Sequence, residues 1–208
     1  MRRVLPIVGV AALILTGCTG TTRGTPQASS DSAGQTATPD TADQVPGPGV
    51  PKVESPVDLS RFRRSPCEAL SERQAGELIG SAVQTRPDLE SPAGPACSWN
   101  PPDASRPLVR LVFDKAATAG LTSFYKDKGT RYALFTPLES IDGYPVVAYG
   151  VYDARDTEGV CSVAVGTSDQ EVFDVGLTLS QANVGKKDPC DVAREAAIRA
   201  LTTIRGAG

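Results

Sequence analysis

The placing of cysteine constrains this chain most. Four of its five cysteines, at 67, 97, 161 and 190, lie in the later part of the 208 residues, and no two are close enough to form a Cys-x-x-C pair. Thiols spaced in this way do not read as a zinc or redox site, and an even number in an exported chain reads as two disulfides. Cys67 and Cys190 each follow a proline at an expected helix start, in Ser65-Pro66-Cys67-Glu68 and Asp188-Pro189-Cys190-Asp191. Cys97 and Cys161 each precede a serine and then an aromatic or β-branched residue, in Cys97-Ser98-Trp99 and Cys161-Ser162-Val163. Each bridge should tie a helix start to a strand. The preferred pairing is Cys67–Cys97 with Cys161–Cys190, and Cys67–Cys190 with Cys97–Cys161 stays open as the alternative.

The disulfide reading needs an oxidising compartment, and the N-terminus supplies the address. Met1-Arg2-Arg3 is a positive start, and Val4 to Leu15 is an apolar run broken only by Pro6 and Gly9. That run is too short to cross a bilayer core and reads as a signal peptide, expected over residues 1–17. Leu15-Thr16-Gly17-Cys18 resembles the lipobox of bacterial lipoproteins. The resemblance implies a lipid-modified Cys18 and cleavage before it, with the chain held by acyl chains on the extracytoplasmic face of the cell membrane. More than one acyl chain is what stable anchoring takes.

Residues 18–60 are expected to form a tether. Thr19 to Pro56 is mostly Thr, Ser, Pro, Gly, Ala, Gln and Asp, without Leu, Ile, Met or an aromatic residue. Such a composition does not repay the entropy of ordering, so the segment should stay disordered and span roughly 35 Å r.m.s.. The folded part is then a single domain over residues 61–208, large enough to close a core without a metal.

Charge and composition exclude several classes. With 21 basic against 24 acidic residues the net charge is −3, which leaves no footprint for nucleic acid. The basic run Arg61-Phe62-Arg63-Arg64 reads as a solvated linker end rather than a lipid-headgroup patch. There is no histidine, which removes the side chain suited to proton transfer near neutral pH and the commonest metal ligand.

Periodicity supplies the elements. Ser65, Pro66 and Glu68 have the form of a capping box, and a second helix start falls at Ser71, with Ala75, Leu78 and Ile79 on one face before Gly80. Residues 81–96 read as loop. Strands are expected at 97–100, 108–113, 131–136, 144–152 and 160–165, and Asp114 is placed to cap a helix over about 115–128. Val172–Leu179 alternates most clearly, with Phe173, Val175, Leu177 and Leu179 facing a core and Asp174, Gly176 and Thr178 facing water. The last helix runs from Pro189 to about Arg205, capped by Asp188, with a stripe of Cys190, Ala193, Ala197, Leu201 and Ile204 and a Glu195–Arg199 pair. Helices and strands in this order, without βαβ alternation, give an α+β fold: an antiparallel β-sheet packed by about three helices and stapled by two disulfides.

Pro66-Cys67, Cys97-Ser98-Trp99, Gly143-Tyr144-Pro145, Cys161-Ser162-Val163 and Asp188-Pro189-Cys190 occur in an order that resembles an actinobacterial lipoprotein family, itself a domain of unknown function (family 3558). The resemblance runs from about Ser65 to Ile204. It implies location and fold type and carries no catalytic residues across.

No catalytic constellation stands out, and neither a cofactor nor a metal is expected. Ser123-Phe124-Tyr125-Lys126 has the S-x-x-K form of penicillin-binding enzymes, with Ser168-Asp169-Gln170 a loose echo of their second motif, but no Lys-Thr-Gly follows. Asp153, Asp156 and Glu158 crowd a loop without the spacing of a calcium site, so a solvated turn is the simpler reading. Asp142 with Tyr144, Tyr149 and Tyr152 would line a cleft beside Trp99, although strand aromatics are usually core. The expected function is non-enzymatic: an envelope lipoprotein that binds or supports an envelope protein, a wall polymer or a lipid. A carrier with an internal apolar pocket is the alternative, and a Ser/Lys hydrolase a more distant one.

Overall fold

Alternation in the strands and a small-residue stripe on the last helix together determine the architecture. The computed structural model describes residues 44–103 and 106–206. The signal segment, Cys18 and the tether as far as residue 43 lie outside the described residues. Seven strands, β1 (Gln84–Asp88), β2 (Ala96–Asn100), β3 (Leu108–Phe113), β4 (Leu134–Ile141), β5 (Tyr144–Gly150), β6 (Val160–Gly166) and β7 (Val172–Thr178), form one sheet in the order β1-β2-β3-β7-β6-β5-β4. Every pair is antiparallel. Two meanders, β1 to β3 and β4 to β7, meet at the β3–β7 seam, where Leu111 lies opposite Val175 and Phe113 opposite Phe173. The α-helices among the described residues are α1 (Ser60–Arg64), α2 (Glu72–Ile79), α3 (Leu121–Lys126), α4 (Arg155–Glu158) and α5 (Pro189–Arg205). The sheet-rich α+β architecture follows the expectation. The helices number five rather than about three because α1 and α4 add single turns that periodicity cannot register.

One face of the sheet carries the main core. Trp99, Leu111, Phe113, Phe173, Val163 and Leu177 are buried there against α5, α2 and Phe62 of α1. Alanines 193, 196, 197 and 200 let α5 approach the strands closely, and all four are fully buried. Its start is fixed by the Asp188 side chain, which accepts from the Cys190 N–H at 2.7 Å, with Pro189 in the first turn, where its missing N–H costs nothing. On its outer side Arg199 bonds Glu195 at 2.9 Å and reaches Glu77 of α2 at 2.8 Å.

Both disulfides lie against this core. Cys67 is joined to Cys97 of β2 and Cys161 of β6 to Cys190 of α5, with Cα atoms 5.1 and 5.0 Å apart. Each ties a helical start to a strand across 30 and 29 residues of sequence. Under the chain-entropy account each contributes about 3 kcal/mol by restricting the unfolded chain.

Four local expectations change. The capping box forms at Ser71 with Gln74, not at Ser65; residues 66–69 make one 3-10 turn, and Glu68 pairs with Arg61 at 2.9 Å. Leu70 adopts an extended conformation there to bury its side chain, which ends the turn. Residues 81–96 contain β1, a polar edge strand that pairs with β2 despite Pro87; an edge tolerates proline and needs no apolar face. The helix expected from 115 contracts to the six residues of α3, because Asp114 caps a turn instead, its Oδ1 accepting from Ala116 and Ala117 at 2.6 and 3.1 Å. The strand expected at 131–136 begins at Leu134, since the carbonyl of Asp127 takes the N–H groups of Arg131 and Tyr132 in a turn.

The folded unit also begins upstream of residue 61. Residues 44–59 form a strap without helix or strand: Gly47 N–H donates to Thr122 Oγ1 at 2.9 Å, Val53 N–H to Asp169 Oδ1 at 2.9 Å, and Val57 N–H to the Thr167 carbonyl at 3.0 Å. Val53 and Leu59 are buried, and the Tyr144 hydroxyl donates to the Ser55 carbonyl at 2.7 Å. Composition alone underrates such a segment because its anchors are backbone donors and two apolar side chains. The run Arg61–Arg64 is α1, in which Phe62 is buried and Arg63 pairs with Glu171 at 2.9 Å, so it is part of the fold and not a linker end.

Candidate functional site

The opposite face of the sheet has a different character. Val147 and Tyr149 of β5, Ala164 of β6, Val172 and Asp174 of β7 and Val112 of β3 point to it by the alternation of their strands. The segment 114–133, with α3 at its middle, covers part of this face. Phe124 is buried, with its ring 4.8 Å from Tyr149 and 5.9 Å from Tyr132, and Tyr125 meets Phe135 at 5.0 Å. Beside these rings lies a half-open groove of about 540 Å³, lined by Asp114, Ser123, Asp127, Arg131, Tyr149 and Asp174, with Pro92, Ala93, Val112 and Val151 among the apolar contributors.

Asp174 is the unusual member. It stands in the apolar run Val172-Phe173-Asp174-Val175 and is only 5 % exposed. Tyr149 donates its hydroxyl to Asp174 Oδ1 at 3.1 Å. Burial pushes the Asp174 carboxyl well above the usual carboxylate range, and the negative charge of Asp114 pushes it further; the Tyr149 bond opposes this in part. A hydrogen bond with the Asp114 side chain acts in the same direction as its charge. The Tyr149 hydroxyl is likewise raised, first by burial and then by the charge of Asp174. The groove therefore presents the neighbouring Asp114 and Asp174 side chains and the Ser123 hydroxyl beside aromatic faces. Such a set suits hydrogen bonding to a polar ligand that also has an apolar or ring surface.

The residues singled out by sequence distribute as follows. Ser123 lines the groove, whereas Lys126 is exposed on the same short helix and is not among the lining residues. Asp169 of the second echo motif is occupied by the strap, and Ser168 Oγ accepts from the Gln170 N–H at 3.1 Å. Asp153 forms an ion pair with Arg155 at 2.7 Å, which holds its carboxyl down to about 2. Among the described residues no cluster of three or more Asp, Glu, Cys or His is arranged to hold a metal ion. The tyrosine cleft does not form: Trp99 lies in the main core, Tyr144 bonds the strap, Tyr152 is 61 % exposed, and Asp142 pairs with Arg205 at 2.6 Å in a turn. Only Tyr149 of that set belongs to the groove. Sequence reasoning missed Asp174 and Asp114 as partners. The available signal was an acid at the centre of an apolar strand, which alternation assigned to water.

The fold and its groove define a class: a two-disulfide α+β domain on a seven-stranded antiparallel sheet, with a polar groove on its thinly covered face. The chain matches the family described as "Protein of unknown function (DUF3558)" over residues 13–203 and belongs to it. No curated protein and no solved structure matches the chain. Among the described residues no helix is long and apolar enough to cross a membrane.

Proposed function

We propose that this protein is a cell-envelope lipoprotein, anchored through Cys18 to the extracytoplasmic face of the membrane, whose domain is a non-catalytic module that binds a partner in the groove between segment 114–133 and the sheet. The groove carries the reading: a buried acid, Asp174, with Asp114 and a tyrosine hydroxyl beside exposed apolar residues, has the mixture of polar and ring surfaces that recognition uses. The address is supported by the lipobox-like Leu15-Thr16-Gly17-Cys18, by the two bridges, which suit an oxidising compartment, and by a family match that takes in these residues.

Two measurements test it. Mass spectrometry of the native protein should find acyl mass on Cys18, and Cys18→Ala should move the protein out of the membrane fraction. Capture from envelope extracts should recover a partner that Tyr149→Phe with Ser123→Ala loses; recovery of nothing above a tether-only control defeats the binding reading. The carrier alternative has less support, because charged side chains line this groove and the main core is filled by Trp99, Phe113 and Phe173. For the hydrolase alternative, Ser123→Ala should leave any hydrolysis detected in the preparation unchanged.

A further inference from the structure

Asp114 and Asp174 share one face of the β3–β7 ladder. Val112 lies opposite Asp174, and Asp114 follows Val112 by two residues, which puts its side chain diagonally beside Asp174. Asp114 is also the hinge of the cover: its Oδ1 takes the N–H groups of Ala116 and Ala117 where the chain leaves β3 for α3. The cover itself is slight. α3 has six residues and no side-chain cap at its start, and the buried apolar groups that hold segment 114–133 down are Ala117, Leu121 and Phe124.

We propose that segment 114–133 is a pH-sensitive flap, seated on the sheet while Asp174 is protonated and released when Asp174 ionises beside Asp114. The inference stands on the seam geometry and holds whatever the groove binds.

The groups facing Asp174 leave a second charge uncompensated. From β5 it meets Tyr149, which donates one hydrogen bond, and from β6 it meets Ala164. On β3, Arg110 lies two pairs along the ladder on the same face, but its guanidinium is turned to Ser98, Asp88 and Ser91. From the cover come Ser123, Asp127, Arg131 and Tyr132. Arg131 stacks over Tyr132 and sits 3.9 Å from Asp127, and Lys115 beside the hinge is exposed. Arg63, across the hinge, is paired with Glu171. An ionised Asp174, itself buried, therefore repels Asp114 with nothing to offset it, and lifting the hinge away relieves both the repulsion and the burial.

The sign follows from proton linkage. The seated state keeps on Asp174 a proton that the released state loses above the ordinary value of 3.8. Seating is therefore strongest below that value and weakens as pH rises toward the raised value of the buried acid. Release also frees the start of the strap, because the acceptor for Gly47 N–H is Thr122 of α3.

Hydrogen exchange of the full-length protein in detergent micelles at about pH 5 and about pH 9, corrected for intrinsic rates, tests the flap. Protection over residues 121–133 should fall about tenfold or more at the higher pH, while α5 keeps its protection. Asp174→Asn, which imitates the protonated acid, should keep the flap protected at both. Equal protection of the wild-type flap at both pH values overturns the proposal, as does an undiminished fall in Asp174→Asn. If that variant does not fold, carboxyl 13C titration of the wild type decides. An aspartate that titrates above the usual acid range together with the loss of flap protection supports the proposal, and titration of every acid within that range overturns it.

Discussion

The two faces of the sheet are built to different standards. One is closed by a 17-residue helix, α2, α1 and two disulfides over a core of fully buried aromatic and aliphatic side chains. The other is closed in part by a six-residue helix between turns, and at its centre buries an acid, Asp174, instead of a hydrocarbon. The same strands serve both, so the difference lies in what packs on them. A rigid, stapled face holds the strands in register, and the thinner face is left free to carry polar groups that a main core would not tolerate.

Substitutions should separate the faces by size of effect. Trp99→Ala empties the best-filled part of the main core and should lower stability by about 3–5 kcal/mol in urea unfolding. Replacing Cys161 and Cys190 together by Ala, with Cys67–Cys97 kept, should cost about 3 kcal/mol and leave the sheet's circular dichroism intact after refolding. Phe124→Ala removes the chief contact of the thin face; it should raise exchange over residues 121–133 strongly while global unfolding shifts by only about 1–2 kcal/mol. A global loss equal to that of Trp99→Ala would show the two faces to be one cooperative unit. The smallest effect is expected outside both: Glu195→Ala, on the solvent side of α5, should change stability by about 0.5 kcal/mol or less in the same assay.

Legibility in the sequence follows the same division. The stripe and caps of α5 and the alternation of β7 are local signals, and the structure has both elements where periodicity puts them. The preferred disulfide pairing is also the one present, because each cysteine's immediate neighbours announce a helix start or a strand. The thin face was not legible. Alternation shows that Asp174 points away from the core residues of its strand, but whether that side meets water depends on where a segment some 50 positions away comes to rest, a nonlocal matter. The strap and β1 were missed for a related reason: both are held by backbone pairing with distant residues rather than by an apolar pattern of their own.

The positions of the staples relative to the seam have a mechanical consequence. Cys67–Cys97 closes a loop wholly within the first meander and its preceding turns, and Cys161–Cys190 one wholly within the second meander and α5. Among the described residues the only covalent passage between the halves is the chain of residues 114–133. A single proteolytic nick there yields two internally cross-linked fragments whose reunion depends on the β3–β7 ladder, the packing of α5, and the bonds of the strap and α1 to Tyr144, Thr167, Asp169 and Glu171. The molecule is thus already divided for fragment complementation, and the strength of its central seam can be measured as a bimolecular association constant.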